Sequence, residues 1–311
     1  MMRKETTIGA KPELKYKASK TRQKFKILLY SSLFKLADKI RPPKTDFNDK
    51  NILDALEEKG IVVIPGYYTA EQCSALKNTV EQLLTDYKDR SWTDEVGSDT
   101  RLYGTDLVSK EVHQFYADKY LHSIGVAYLN TNLINLTTLA NRLKYSPDNL
   151  GSGHGWHRDS LYYKQFKAII YLSDTTEDNG PFEYLIGSHT VESMLKIINE
   201  TSLDGTNDRL TEEDVNTIAG LEGIERRSFP GKAGTLILVN TLGIHRGKPI
   251  RSGYRYALTN YYYQSYQREY LTERWNTKEH VATPLVIHNK YKYAIVNSLF
   301  QLKRFFLPSK T

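Results

Sequence analysis

Gly231-Lys232-Ala233-Gly234-Thr235-Leu236-Ile237-Leu238-Val239-Asn240-Thr241-Leu242-Gly243-Ile244-His245 reads as a turn, a buried strand over Thr235 to Val239, and a short run that carries a histidine to the strand's far end. Further strands are expected at Leu133 to Leu139, Ala168 to Leu172 and Tyr256 to Tyr263, separated by Gly and Pro punctuation as in an all-β sandwich or barrel. Ahead of them the pattern is mixed. Ile52 to Glu58 is helical, Ile61-Val62-Val63-Ile64 is a short buried strand, and Pro65-Gly66 turns the chain. Thr69 with Gln72 three residues on forms a capping box for a helix carrying Ala75, Leu76, Val80, Leu83 and Leu84. No internal repeat is present.

Working outward from His245, the partner it needs lies 86 residues upstream in His154-Gly155-Trp156-His157-Arg158-Asp159. On a strand, residues i and i+2 point the same way, so His157 and Asp159 form a pair of ligands on one face. An HxD alone is a common chance match. Joined by His245 from a separate strand, it supplies two imidazoles and one carboxylate, which leaves half of an octahedral ion open, as in non-heme Fe(II) oxygenases. Ten residues beyond His245, Arg255 opens the strand Tyr256-Ala257-Leu258-Thr259. Its planar fork suits a carboxylate, here the distal carboxylate of a 2-oxo acid chelated to the metal. Arg251 competes for that role, but it lies in the Arg251-Ser252-Gly253 turn. His113, His122, His280 and His288 have no ligand partner at useful spacing and read as surface or core histidines.

The segments Trp156 to Asp159, Asp178-Asn179-Gly180-Pro181-Phe182-Glu183-Tyr184-Leu185-Ile186-Gly187-Ser188-His189, Gly231 to His245, and Arg255-Tyr256-Ala257-Leu258 together resemble the phytanoyl-CoA dioxygenase family. So does the opening Glu58-Lys59-Gly60-Ile61-Val62-Val63-Ile64-Pro65-Gly66, and the resemblance covers about residues 50–265. It implies a mainly β fold, a double-stranded β-helix (jelly roll) with flanking α-helices, and a dioxygenase dependent on Fe(II), 2-oxoglutarate and O₂. Carried over by position, His157, Asp159 and His245 become the iron ligands and Arg255 the co-substrate clamp. The chain departs from common family members after the distal histidine, where Arg246 precedes Gly247 and alters the local charge. Because Asp159 occupies a ligand position that a halide would need, hydroxylation is expected rather than halogenation. His189 is read as orienting a loop and His154 as a loop residue. Tyr162, Tyr163 and Lys164 are placed at the mouth or in the core, and only part of Tyr261-Tyr262-Tyr263 can point inward.

The formal net charge of +7 is confined to the ends: residues 1–41 carry +9, residues 290–311 carry +5, and residues 42–289 carry −7. This distribution disfavours a phosphate-tracking groove beside the metal, so an oxygenase acting on nucleic acid is the alternative. A non-catalytic β-barrel that docks through basic terminal helices is a further one, disfavoured by the joint presence of four site residues. A single cysteine, Cys73, excludes an intramolecular disulfide and fits a reducing compartment, hence a cytoplasmic protein. Three segments are expected: a basic arm and amphipathic helix over 1–45, an oxygenase domain over 46–289, and a basic amphipathic helix over 290–311. Residues 25–41 and 295–307 either cover the core or rest on an anionic membrane surface. The substrate class expected is a small molecule or lipid; no nucleotide-specific or CoA-specific pattern is present.

Overall fold

A computed structural model describes residues 19–39, 43, 45–205, 207–267 and 281; the expected helix over 290–311 lies outside the described residues. The elements in chain order are α1 (Lys20–Lys39), α2 (Lys50–Lys59), β1 (Ile61–Ile64), α3 (Ala70–Asp86), β2 (Trp92–Thr93), β3 (Asp99–Tyr103), α4 (Lys110–Tyr116), α5 (Lys119–Leu129) and β4 (Leu133–Lys144). They continue with β5 (Phe166–Tyr171), β6 (Phe182–Ile186), α6 (Val191–Glu200), α7 (Glu212–Ala219), β7 (Glu225–Phe229), β8 (Leu236–Asn240), β9 (His245–Gly247) and β10 (Tyr254–Gln264).

Local chemistry sets the helix ends. The Asp49 carboxylate accepts the Asn51 and Ile52 amides to start α2, and Gly60, in the left-handed region at φ 75°, ends it. The expected capping box is present at α3, with Thr69 and Gln72 bonding reciprocally.

Seven strands form one antiparallel sheet in the order β1-β8-β5-β10-β4-β3-β2, and three form a second in the order β7-β6-β9. Alternation sorts the large sheet's side chains. On β5, Phe166, Ala168 and Ile170 join the core under α2 to α5 with Leu76, Val80 and Phe115, whereas Tyr171 packs with Phe182 and Tyr184 of β6. Both faces are therefore covered, which is why these strands read as apolar runs and not as clean alternation. The architecture is the mainly β core with flanking helices expected from the sequence, and two sheets facing one another are consistent with a jelly roll.

The helix expected from Phe25 begins earlier, at Lys20. It packs on α6: Ile27 is fully buried with Met194, Ile198 and Leu242, and the Tyr30 and Phe34 rings lie 4.9 and 4.8 Å from those of Tyr162 and Tyr163. Phe25, Leu28, Leu29 and Leu36 stay exposed on the helix. Among the described residues, no helix is long and apolar enough to cross a membrane.

Candidate metal centre

His157 and Asp159 do not lie in a regular strand as expected; they occupy an extended segment that follows the turns from Gly151. Of its two bridges, to Arg209 and to His245, the one to His245 brings the ligands together. The His157 amide donates to His245 O and the His245 amide to His157 O, each at 2.9 Å, and the Asp159 amide donates to Thr241 O at 3.0 Å. Thus the segment that carries two ligands is laid antiparallel along the one that carries the third. The short stretch between the glycine-rich turn at Gly151 to Gly155 and the bend at Leu161 to Tyr163 builds no ladder, but two-residue alternation survives in any extended backbone.

The ligand atoms of His157, Asp159 and His245 all lie within 4.8 Å of one another. His157 Nε2 is 3.7 Å from Asp159 Oδ1, and His245 Nε2 is 3.6 Å from Oδ2. Each imidazole Nδ1 lies 2.9 Å from the carbonyl two residues before it, Gly155 O and Gly243 O. A carbonyl only accepts, so both Nδ1 atoms carry the proton and both Nε2 lone pairs face the shared space. The donor set therefore fits a metal with N and O ligands. Gly153, at φ 94°, is required here, since a Cβ would stand 3.0 Å from His157 Nδ1.

Burial, then the neighbouring His245, pushes His157 well below the ordinary histidine range. Burial likewise pushes His245 down, partly opposed by Asp159, to about 4. Burial works against charge on Asp159, but the Lys167 ammonium and the two imidazoles outweigh it and hold the carboxyl deprotonated. The imidazoles are thus held neutral, and the folded protein resists protonating them. In the unfolded chain they titrate near 6.5, so the stability they contribute is present above that value and is lost as pH falls toward 4. The melting temperature of metal-free protein is expected to fall over that interval, with a shallower fall in His245→Gln; an unchanged slope would contradict the assignment.

Arg255 lines the same cavity, about 270 Å³ in volume, together with the three ligands. Its Nη1 donates to Gly180 O at 2.5 Å and Nη2 to Asn141 Oδ1 at 2.8 Å, while Nε is buried without a partner. A buried guanidinium edge with a donor to spare fits a ligand carboxylate. Arg251 is excluded from the cavity: its side chain is 70% exposed and lies on Asp178. Arg246, the departure noted in the sequence, points elsewhere as well. It is ion-paired to Glu183 at 2.6 Å and Glu212 at 3.0 Å, 4.4 Å from the Trp156 ring.

Of the other residues singled out, His189 packs at the end of α2, its Nε2 3.0 Å from Glu57 O, and His154 is an exposed loop residue. His113 and His122 bond main-chain carbonyls; His280 and His288 lie outside the described residues. Tyr163, Tyr261 and Tyr263 line the cavity, whereas Tyr262 faces the opposite core. Sequence reasoning missed Arg101 and Tyr103 on β3, Asn141 on β4, and Lys167 on β5, all of which line the cavity. Lys167 is the most consequential. Its Nζ lies 2.7 Å from Asp159 Oδ2 and 4.0 Å from the centre of the Tyr261 ring.

Residues 56–256 match the family model described as Phytanoyl-CoA dioxygenase (PhyH), nearly two thirds of the chain. No curated protein matches the chain. Among solved structures, EctD from S. alaskensis, determined with 2-oxoglutarate and 5-hydroxyectoine, is 19% identical with a TM-score of 0.54, covering 72% of this chain and 82% of its own. The non-heme alpha ketoglutarate dependent epimerase SnoN from nogalamycin biosynthesis is 14% identical at TM-score 0.53, covering 70% and 82%. The carbocyclase SnoK of the same biosynthesis is 16% identical at TM-score 0.52, covering 72% and 88%. At such identities the likeness is one of fold.

Proposed function

The chain belongs to the phytanoyl-CoA dioxygenase family, an iron- and 2-oxoglutarate-dependent oxygenase family, and on that premise we propose that it hydroxylates a C–H bond of a small-molecule substrate while 2-oxoglutarate is decarboxylated to succinate. The observation that carries this reading is the convergence of His157, Asp159, His245 and Arg255 on one cavity. Bound there, iron supplies the oxygen chemistry that no side chain provides. The chain's own residues bind, orient and exclude. His157 and His245 present neutral Nε2 atoms, each fixed through Nδ1. Asp159 adds the single negative charge. Arg255 holds the distal carboxylate of 2-oxoglutarate from a buried position where water does not compete for its donors. Phe182 and Ile169 line the apolar side of the cavity and limit water there. The presence of a carboxylate ligand favours hydroxylation over halogenation, and the epimerase and carbocyclase of similar fold mark the competing outcomes.

The test is turnover under ¹⁸O₂ with candidate small molecules. One labelled atom is expected in succinate and one in product, in equal amounts. Succinate formation coupled to an unlabelled, dehydrogenated or epimerised product would overturn the hydroxylase assignment and keep the family.

A second reading concerns the ends. We propose that segments 1–45 and 290–311 are appendages of an oxygenase unit over 46–289, and that α1 touches anionic membranes through Phe25, Leu28, Leu29 and Leu36 beside Lys35 and Lys39, all exposed. Flotation with phosphatidylserine vesicles is expected for the full chain and at least fivefold less for Phe25→Ser/Leu28→Ser/Leu36→Ser. Equal flotation of the two would remove this contact, and proteolysis that cuts within 46–289 before the ends would remove the boundaries.

A further inference from the structure

Lys167 is a buried cation that the proposed reaction does not use. It projects from the inner face of β5 in the same row as Tyr261, whose backbone it faces across the β5–β10 pairing. Its side chain is 7% exposed, and among the described residues its charge is paired to Asp159 alone. An ammonium has three N–H donors. Among the described residues, Asp159 Oδ2 takes one and the Tyr261 ring face lies beside another.

The charges of the loaded site can be assigned one by one. Divalent iron, when bound, would be neutralised by Asp159 and by one carboxylate of 2-oxoglutarate. The distal carboxylate of 2-oxoglutarate is neutralised by Arg255. Arg101 is already paired with Asp99. The Lys167 charge is then left over, because the Asp159 carboxylate it holds is shared with the metal. Among the cavity-lining residues, Asp159 is the only acid, and Arg209 at the rim adds a further positive charge. A buried charge without a counter-charge is costly, so an occupant that brings one is favoured.

Position separates this charge from the co-substrate clamp. Arg255 and Tyr261 are six residues apart on β10, roughly 20 Å at about 3.4 Å per residue. Lys167, level with Tyr261 and in contact with Asp159, therefore stands well apart from Arg255 along the cavity wall. Tyr103 of β3 and Tyr261, whose rings are 6.1 Å apart, wall this end, and Tyr163 also lines the cavity.

We infer that the substrate carries an oxyanion, a carboxylate or a phosphate, and that Lys167 holds it within the cavity so that a neighbouring C–H faces the metal ligands. This rests on the oxygenase reading above. The Asp159 pairing orients the ammonium, and the tyrosine walls keep water from screening it.

The test uses calorimetric titration of the full chain, anaerobic and saturated with Fe(II) and 2-oxoglutarate, with three probes of similar size: phenylacetate, phenyl phosphate and phenylacetamide. At least one anion is expected to bind tenfold or more tightly than the amide, without competing with 2-oxoglutarate. The preferred anion identifies carboxylate or phosphate as the group recognised. In Lys167→Met the advantage is expected to fall below threefold, and in Lys167→Arg to be retained. Because the comparison among probes is made on wild-type protein, it does not depend on a variant folding. Equal binding of anions and amide, or competition of the anion with 2-oxoglutarate, would overturn the inference. Failure of the oxygenase reading itself is seen separately, as absence of 2-oxoglutarate binding to the Fe(II)-loaded protein before any probe is added.

Discussion

His245→Ala is expected to lose iron and, with it, essentially all 2-oxoglutarate turnover. Removing the partners that merely orient metal ligands costs about 10–100-fold in metal affinity or activity. Deleting a ligand outright takes away more, because the two that remain, His157 and Asp159, cannot by themselves fix a facial site. Turnover below roughly 1% of wild type is the expected figure by that comparison. The loss is local: the His245 backbone contacts to His157 do not involve the deleted ring, so near-native circular dichroism is expected alongside the lost metal. Iron content measured after anaerobic loading and desalting decides the matter. Wild-type iron content in the variant would move the metal centre elsewhere.

Arg255→Ala is expected to raise the KM for 2-oxoglutarate while iron stays bound. A charge-assisted hydrogen-bonded pair is worth about 1.5–3 kcal/mol, which corresponds to roughly ten- to hundredfold. Truncation also strands Asn141 Oδ1 and Gly180 O, which lose their donors, so some loss of thermal stability accompanies it. Arg255→Lys is expected to recover only part of the affinity, because an ammonium keeps the charge but not the fork. A KM unchanged in Arg255→Ala would mean that the co-substrate carboxylate rests on another cation of the cavity, Arg101 or Lys167.

Much of this site was legible in the sequence because its residues come with local markers. His157 and Asp159 share a spacing of two, His245 ends an apolar strand, and Arg255 opens another, so four positions carried their own evidence. The strands at β1, β5, β8 and β10 were legible for a related reason, as apolar runs between turns. β3 was not, since Asp99-Thr100-Arg101-Leu102-Tyr103 is polar on the face that lines the cavity and reads as loop. The same masking hid Lys167. In Gln165-Phe166-Lys167-Ala168-Ile169-Ile170-Tyr171 a lone lysine suggests a solvent-facing position, but helices cover one face of this sheet and β6 covers part of the other. Only the pairing of Lys167 with Tyr261, set by tertiary register, places it inside. The extended segment at His157 to Asp159 shows the reverse case: the expected strand is absent, yet the two side chains converge, because alternation depends on extended backbone and not on a ladder.

Arg246 illustrates how charge read from sequence can mislead. Next to a metal ligand it suggests an altered pocket, but β9 alternates, and the guanidinium that follows His245 is turned to the opposite side. There Glu183, Glu212 and Trp156 absorb it. Lys167, 78 residues before His245 in the chain, is by contrast a charge that does enter the cavity.

The central claim, that His157, Asp159 and His245 hold an iron to which 2-oxoglutarate binds against Arg255, is tested most directly by one anaerobic spectrum. Addition of 2-oxoglutarate to the Fe(II)-loaded wild-type protein is predicted to produce a weak visible charge-transfer band that is absent with Fe(II) alone. No band in the wild type, or a band of equal strength in His245→Ala, would contradict the account.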